Sequence, residues 1–462
     1  MLKGGKVIAS GGFGCIFEPA LRCHLHSKEM DILLENGKPQ ISKLMTTKHA
    51  QDEFNQIEKY KKMLSVIPNY ENYFLVNNFT LCKPSKLTKS DLKGYQKKCK
   101  ALKKKGISSR DINNSLNKVM AVNMPYGGID VENFVEKYFV SSNIIRLNNS
   151  LIELLVNGIV PMNKLNIYHC DIKDGNVLVE ITETGLITRL IDWGLSIVVD
   201  NPEKGIPRKL YRRPFQFNVP FSSVLFNKDF LTLYNNFLEL NKNPDYFQIR
   251  EFVINYIFIW NDIRGPGHLS AINEMIKKLT IQDLPAIKKD RIKDHFIEYD
   301  FTYYYIVEYL SKILEKYTNN GNLDLMMYFE DVFLKNVDIW GFTMIYIVLY
   351  EELYKSFNSL NEYQMEFINK IKYIIIHFLY ENPITPIDVS GLVKELTNLN
   401  KVIEKFDIDE TSKKLEYVST LEDSLKEGGF LAKQMKNKKI KKSKTHKKKR
   451  NKKHNTTKRR LY

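Results

Sequence analysis

No two cysteines in this chain are spaced C-x-x-C, and the five present, at 15, 23, 82, 99 and 170, are too scattered in 462 residues to form a dense framework. That spacing predicts free thiols in a reducing compartment. The N-terminus has no apolar core of the secretory kind: MLKGGKVIASGGFG carries glycines where that core would stand, so no leader is expected. Long apolar runs are missing as well. The most apolar stretches, residues 252–260, 340–350 and 371–380, are too short or too interrupted to cross a bilayer, and they read as core helices with no transmembrane segment. Acidic residues are absent from 433–460, where 16 residues are Lys or Arg. The rest of the chain balances 54 basic against 53 acidic residues, so the net charge of +17 belongs to a tail.

What is present is a globular composition, 43% hydrophobic, long enough for two or three packed units. Its centre is I-Y-H-C-D-I-K-D-G-N, residues 167–176, followed at 190–194 by L-I-D-W-G. In order these supply a carboxylate (Asp171), a cation two residues on (Lys173), an amide three residues later (Asn176) and a second carboxylate past an apolar run (Asp192). Phosphoryl transfer uses this set: an acid to orient and receive the hydroxyl proton, a lysine to neutralise the moving phosphoryl group, and two oxygen ligands for magnesium. Any single Asp in a strand-end loop serves more often as a cap or turn residue. Four such residues in order and spacing are what that reading does not predict. His169 reads as a structural residue, fixing the loop through its ring and packing against Trp193.

Upstream, residues 7–17 read as strand, glycine turn, strand, with Gly11, Gly12 and Gly14 free to close backbone N–H groups over phosphates, Phe13 at the tip and Ile16 on the return strand. Any Gly-rich hairpin gives the same string. Lys43 lies in a short strand, 41–45, and a charged helix follows at 46–67. Glu58, near mid-helix, is expected to fix Lys43 by an ion pair so that Lys43 holds the α- and β-phosphates, with Glu53 as its competitor. Cys23, His24 and His26 invite a zinc reading, but no fourth ligand is placed and a structural loop is preferred. Strands are expected at 73–76 and 119–124, separated by a lysine-rich insertion, 86–118, at the sheet edge. Pro125-Tyr126-Gly127-Gly128 then reads as a hinge, with backbone groups of Met124 and Tyr126 at the adenine edge.

Further on, 176–180 and 186–191 read as a strand pair presenting Asn176 and Asp192 from adjacent ends. Residues 201–223 read as an extended, Arg- and Pro-rich segment lining a groove. Residues 227–335 should be largely helical. Asp338-Ile-Trp340-Gly341 should open a buried helix, its acid favoured by the helix N-terminus.

These motifs resemble the eukaryotic-type protein kinase superfamily over residues 7–406. The family's glycine loop, strand lysine, helix glutamate, H-R-D-x-K-x-x-N loop and D-F-G loop are matched by A-S-G-G-F-G, Lys43, Glu58, H-C-D-I-K-D-G-N and D-W-G. The resemblance implies an α+β, bilobal protein-kinase-like fold. Its β-rich N-lobe is 1–125, with the basic insertion near 86–118, and its helical C-lobe is 126–406, with a helical insertion near 227–335. A linker, 407–432, and a disordered basic tail, 433–462, would follow. It also implies ATP-dependent transfer to serine or threonine hydroxyls of protein substrates, Asp171 as base, Lys173 at the phosphoryl group, and magnesium, or manganese, on Asn176 and Asp192.

The departures are Ala9 for the first loop glycine, Cys170 for the loop arginine, Trp193 for phenylalanine, and no acid after Val219-Pro220. Together they imply an activation segment held by standing contacts, with Arg208, Arg212 and Arg213 as the candidates. The combination resembles serine/threonine kinases of giant double-stranded DNA viruses of the mimivirus kind. That implies host cytoplasm, viral factory or virion as the place of action, or the nucleus through the basic tail. Small-molecule phosphotransferases share the loop pattern, and an inactive scaffold is the other rival. The tail at 433–460 should bind nucleic acid or acidic partners without sequence preference, or serve only as a solvated appendage.

Overall fold

The computed structural model of this chain describes residues 5–10, 13–24, 40–200, 205–280 and 300–406. Gly11, Gly12, His26, the linker and the basic tail lie outside the described residues. The architecture is mixed α+β, with small sheets in the N-terminal part and helices dominating the C-terminal part. Contacts divide the chain into two units. One comprises residues up to Glu58 with Asn77–Tyr126; the other comprises Lys59–Val76 with the described residues from Gly127 onward.

The first unit is built on five antiparallel strands: β1 (Lys6–Ser10), β2 (Gly14–Glu18), β3 (Gln40–Thr46), β4 (Thr80–Cys82) and β5 (Val119–Pro125), in the order β1-β2-β3-β5-β4. Alternation along β3 assigns its two faces. Leu44 joins Cys15, Phe17, Val119 and Ala121 in one core, and Met45 joins Val122 and Ala50 in another. Ala50 belongs to helix α1 (Thr47–Leu64), so this helix begins against the second face. Gly14 is required where β2 meets β3, because a Cβ there would lie 2.3 Å from the Leu44 carbonyl oxygen.

The lysine-rich insertion is not an edge appendage. Its short helices α2 (Tyr95–Lys98) and α3 (Lys100–Lys104) bury Tyr95, Cys99 and Leu102 in the core of the first face, with Ile107 and Ile112 behind them. The charges on the insertion conceal an apolar stripe at helical spacing. The expectation of unpaired cysteines also fails. Cys15 is bonded to Cys99 and Cys23 to Cys82, across sequence separations of 84 and 59, which leaves Cys170 as the buried free thiol. Long-range pairing of this kind is invisible to local spacing. With its sulfur committed to Cys82, Cys23 is withdrawn from any zinc site.

In the second unit, β6 (Ile129–Asp130), β8 (Val177–Thr182) and β9 (Gly185–Leu190) form one sheet, and β7 (Ile167–Tyr168) pairs with β10 (Ile197–Val198). The strand expected at 73–76 is absent. Phe74 makes a single parallel bridge to Leu190, and the strand beside β5 is instead β4. Helix α4 (Val131–Tyr138) is capped by the Asp130 carboxylate, which accepts from the Asn133 N–H at 2.8 Å. Helix α5 (Ser141–Glu153) winds through a π-turn at Leu154–Ile159 into α6 (Val160–Lys164).

The described residues of 227–335 are largely helical, as expected: α7 (Lys228–Leu240), α8 (Tyr246–Arg264), α9 (Leu269–Thr280) and α10 (Asp300–Tyr317). Then come α11 (Leu325–Tyr328), a π-turn, α12 (Leu334–Met344) and α13 (Ile347–Tyr354), followed by α14 (Glu362–Ile374) and α15 (Val389–Ile403). The α11–α13 stretch, Leu325–Tyr354, is 30 residues long and apolar enough to cross a membrane, longer than its sequence suggested. Among the described residues it is the one stretch that passes this test, and 89% of its most apolar window is buried inside the protein. Trp340 packs edge-on against Phe221 at 5.2 Å and Tyr309 at 5.6 Å, tying the helical segment to the chain around residue 221.

The Cys15–Cys99 bond closes a long loop, so Cys99→Ser should lower unfolding stability by about 2–5 kcal/mol. Denaturant unfolding of both proteins without reductant measures this, and with reductant the difference should vanish. Equal stability of variant and parent without reductant would contradict the bond.

Candidate active site

The loop at 169–176 is held from below by one buried acid. Asp338 sits within α12, not at its start, so the helix N-terminus contributes nothing to it. Its oxygens instead accept backbone N–H groups of the loop, Oδ2 from His169 and Oδ1 from Cys170, both at 2.8 Å. With its amide nitrogen turned toward the carboxylate, Asn163 adds a third donor 3.2 Å from Oδ2. Burial pushes the Asp338 carboxyl up to about 7, against the pull of the two N–H donors and the Arg213 guanidinium. One turn on, Gly341 lets the helix approach: a Cβ there would meet the Ile172 carbonyl oxygen at 2.6 Å and that of Asn218 at 2.9 Å. The Trp340 indole N–H donates to the Phe217 carbonyl at 2.9 Å. One helix thereby fixes both the loop and the segment at 217–218.

Above this support the side chains converge on Asp171, which is nearly buried. Lys173 Nζ donates to its Oδ2 at 3.0 Å, and the Asn176 amide nitrogen donates to the same oxygen at 3.0 Å and to the Asp171 carbonyl at 2.8 Å. Asn218, fully buried, donates to Oδ1 at 2.9 Å and to the Ile172 carbonyl at 3.2 Å. Burial alone would raise the Asp171 carboxyl, but the Asn218 hydrogen bond and the Lys173 cation outweigh it and hold it below the ordinary aspartate value. Asp171 is therefore an ionised, oriented acceptor.

Asn176 and Asp192 flank neighbouring strand ends. Val177 pairs with Leu190, and the Ile191 N–H donates to the Asn176 carbonyl at 3.0 Å. Asp192 is exposed and takes a left-handed backbone, φ 65°, which Asp tolerates better than most residues; its Oδ1 accepts from the Gly194 N–H at 3.4 Å. Trp193 beside it is buried among Tyr60, Phe74 and His169, at ring separations of 5.1, 5.7 and 5.1 Å. His169 Nε2 donates to the Ile191 carbonyl at 2.9 Å, and burial pulls its pKa down, so the ring is neutral with its proton on Nε2. The structural role expected of His169 is the one observed.

Of the arginines expected to pin the following segment, Arg208 and Arg212 are exposed, while Arg213 is buried with its charge acting on Asp338; Lys209 is a further tie, donating to the Gly194 and Ser196 carbonyls at 3.1 and 2.9 Å. Burial also drives the Cys170 thiol well above its ordinary pKa, which excludes it as a nucleophile.

In the first unit, Lys43 pairs in register with Ile16 and with Val122, and Met124 with Ile41. Tyr126 is the last residue of that unit, and Phe13 is exposed with its ring 4.7 Å from His49. The partner of Lys43 is Glu53, not Glu58: Nζ meets both Glu53 oxygens, at 2.8 and 2.7 Å. Five residues further along α1, Glu58 is rotated by about 140° and displaced by about 7.5 Å, out of reach of the same strand position.

Sequence reasoning missed Asn218 and Lys209. Asn218 carried a faint signal as an amide just before Val219-Pro220; nothing local distinguished Lys209 from its arginine neighbours. No protein-family model matches this chain, and no curated protein matches it. Among the described residues no group of three or more His, Cys, Asp or Glu is disposed to hold a metal.

Removing the Asp338 carboxylate leaves two buried N–H groups without acceptors, at about 1–3 kcal/mol each, so Asp338→Ala should destabilise the fold by about 2–6 kcal/mol. The pH dependence carries a second signature. Between about 4 and 7 the folded chain holds a proton on Asp338 that the unfolded chain has lost. Stability should therefore fall as pH rises across that window and level off above it. Thermal midpoints of parent and Asp338→Ala against pH test this: a slope equally steep in both would assign it to another group.

Proposed function

We propose that this protein is a phosphotransferase of the protein-kinase type, moving the terminal phosphoryl group of ATP to serine or threonine hydroxyls of proteins. The observation that carries the reading is the hydrogen-bond set on Asp171. A buried aspartate is kept ionised by Asn218 and Lys173, with an amide on one side and a second acid at the neighbouring strand end. In this reading Asp171 accepts the proton of the attacking hydroxyl and sets its direction. Lys173, already 3.0 Å from Asp171, neutralises charge on the transferred group. Lys43, steadied by Glu53, takes the α- and β-phosphates, and the bilobal kinase arrangement is the fold this assignment implies.

The donor set fits a magnesium ion. Asn176 commits its amide nitrogen to Asp171 and so keeps its oxygen for a ligand, and Asp192 offers an exposed carboxylate; both are the hard oxygen donors this ion takes. When bound, magnesium supplies charge neutralisation at the phosphate oxygens. A protein hydroxyl is favoured as acceptor by Lys173 and by the buried Asp338-Ile-Trp-Gly segment, on which the resemblance to the protein-kinase branch rests.

Transfer from labelled ATP to a protein mixture, with amino alcohols and aminoglycosides as control acceptors, tests the assignment. Asp171→Ala should lower kcat by about 100-fold or more. Asp192→Ala should abolish magnesium-dependent transfer, and undiminished activity in that variant would overturn the metal assignment. Because Asn218 stabilises the ionised base, Asn218→Ala should move the acidic limb of the pH–rate profile to higher pH. An unmoved limb would show that Asn218 only packs.

A further inference from the structure

The folded insertion of the first unit carries a charge that phosphotransfer does not use. Residues 86–118 hold eleven Lys or Arg against two acids. Ten of the cations are exposed; the eleventh, Lys98, turns inward to the Ile8 carbonyl. Of the acids, Asp91 is buried and takes the Thr88 N–H at 2.6 Å and the Thr88 hydroxyl at 2.8 Å, leaving Asp111, paired with the Ser108 hydroxyl, as the exposed one. We propose that this surface is a docking site for the phosphate backbone of duplex nucleic acid, separate from the tail at 433–460 and independent of the phosphotransferase reading.

The geometry is that of a preformed ridge. Tyr95, Cys99 and Leu102 turn into the core, and Cys99 is bonded to Cys15 of β2, so the backbone beneath the lysines is anchored. The helix breaks at Cys99 (φ −83°, ψ 53°), and hydrogen bonds from Cys99 N–H to the Tyr95 carbonyl at 2.9 Å and from Lys103 N–H to the Cys99 carbonyl at 3.1 Å secure the chain on either side of the break. Lys100 and Lys104, four residues apart, share a face of α3, and Lys97 is exposed on α2, while Tyr95, Cys99 and Leu102 are buried. Lys93, Lys103 and Lys105 flank them. Among the described residues, no ion pair engages Lys97, Lys100 or Lys104.

Three features select the partner. Ten exposed cations beside a single exposed acid face an evenly charged polyanion better than a surface of mixed charge would. No large apolar side chain within 86–118 is exposed, so the segment has nothing to insert into a lipid layer; its apolar face is already spent on the sheet. Exposed aromatics are missing for the same reason, which removes base stacking and favours a duplex over single strands. Lysines contact phosphates as point charges, so binding is independent of base sequence.

The test uses the full chain and a labelled mixed-sequence DNA duplex, with affinity measured by anisotropy over a salt series. Phosphatidylserine vesicles form the second arm. The triple variant Lys97→Gln, Lys100→Gln, Lys104→Gln should weaken duplex binding by about 10- to 100-fold and flatten the log–log salt slope by about three. Arginine at the same positions should restore both, and thermal midpoints should be unchanged because the three side chains are exposed. A full-length variant with the basic residues of 433–460 replaced by Gln should keep the effect of the triple substitution. Unchanged affinity and slope in the triple variant would overturn the proposal, as would loss of vesicle binding with duplex binding intact.

Discussion

A buried carboxyl group must find its hydrogen-bond partners within the protein, and the donors Asp338 takes are the consecutive backbone N–H groups of His169 and Cys170. Each partner needs the other. Without the acid, two buried N–H groups are stranded; without the N–H groups, burial would push the acid's pKa higher still. The loop is thereby locked at the residue before Asp171, with Cys170 at φ 59°, a left-handed backbone that a non-glycine side chain adopts only when its surroundings impose it.

From that anchor the rest of the site follows by contact. Gly341 removes the side chain that would hold α12 away from Ile172 and Asn218, and Trp340 ties down Phe217 beside them. Asn218 is then close enough to reach Asp171, and that carboxylate owes its ionised state to this neighbour as well as to Lys173. Trp193 plays a parallel part for Asp192. Enclosed by Tyr60, Phe74 and His169, the indole keeps the preceding acid on a strained but fixed backbone. Preorganisation of this kind places the cost of ordering the site in folding, so it is not incurred when a ligand arrives.

Charge averaged over the chain concealed its distribution. Outside the tail the cations and acids balance, yet the insertion at 86–118 is strongly basic and the remainder correspondingly acidic. The insertion reads as an excursion at the sheet edge because lysine dominates its composition. Folding separates it into an inner apolar stripe and an outer cationic one, and a disulfide secures the division.

The placement of Asp171, Lys173 and Asn176 together, with Asp192 at the neighbouring strand end, was legible in the sequence because the four lie within about two dozen residues, where chain connectivity and one strand pair set their relations. The ring packing of His169 on Trp193 was readable for the same reason. The choice of Glu53 over Glu58 was not: it depends on how α1 leaves β3, a matter of rotation that residue spacing leaves open. Beyond reach altogether were Asn218 at Asp171, Lys209 at the Gly194 carbonyl, Asp338 beneath the loop from the middle of its helix, and the pairing of Cys15 with Cys99. Each joins residues whose contact depends on the path of the chain between them. Local residue order determines which groups are available for chemistry; tertiary packing decides which of them are desolvated, paired and held in place.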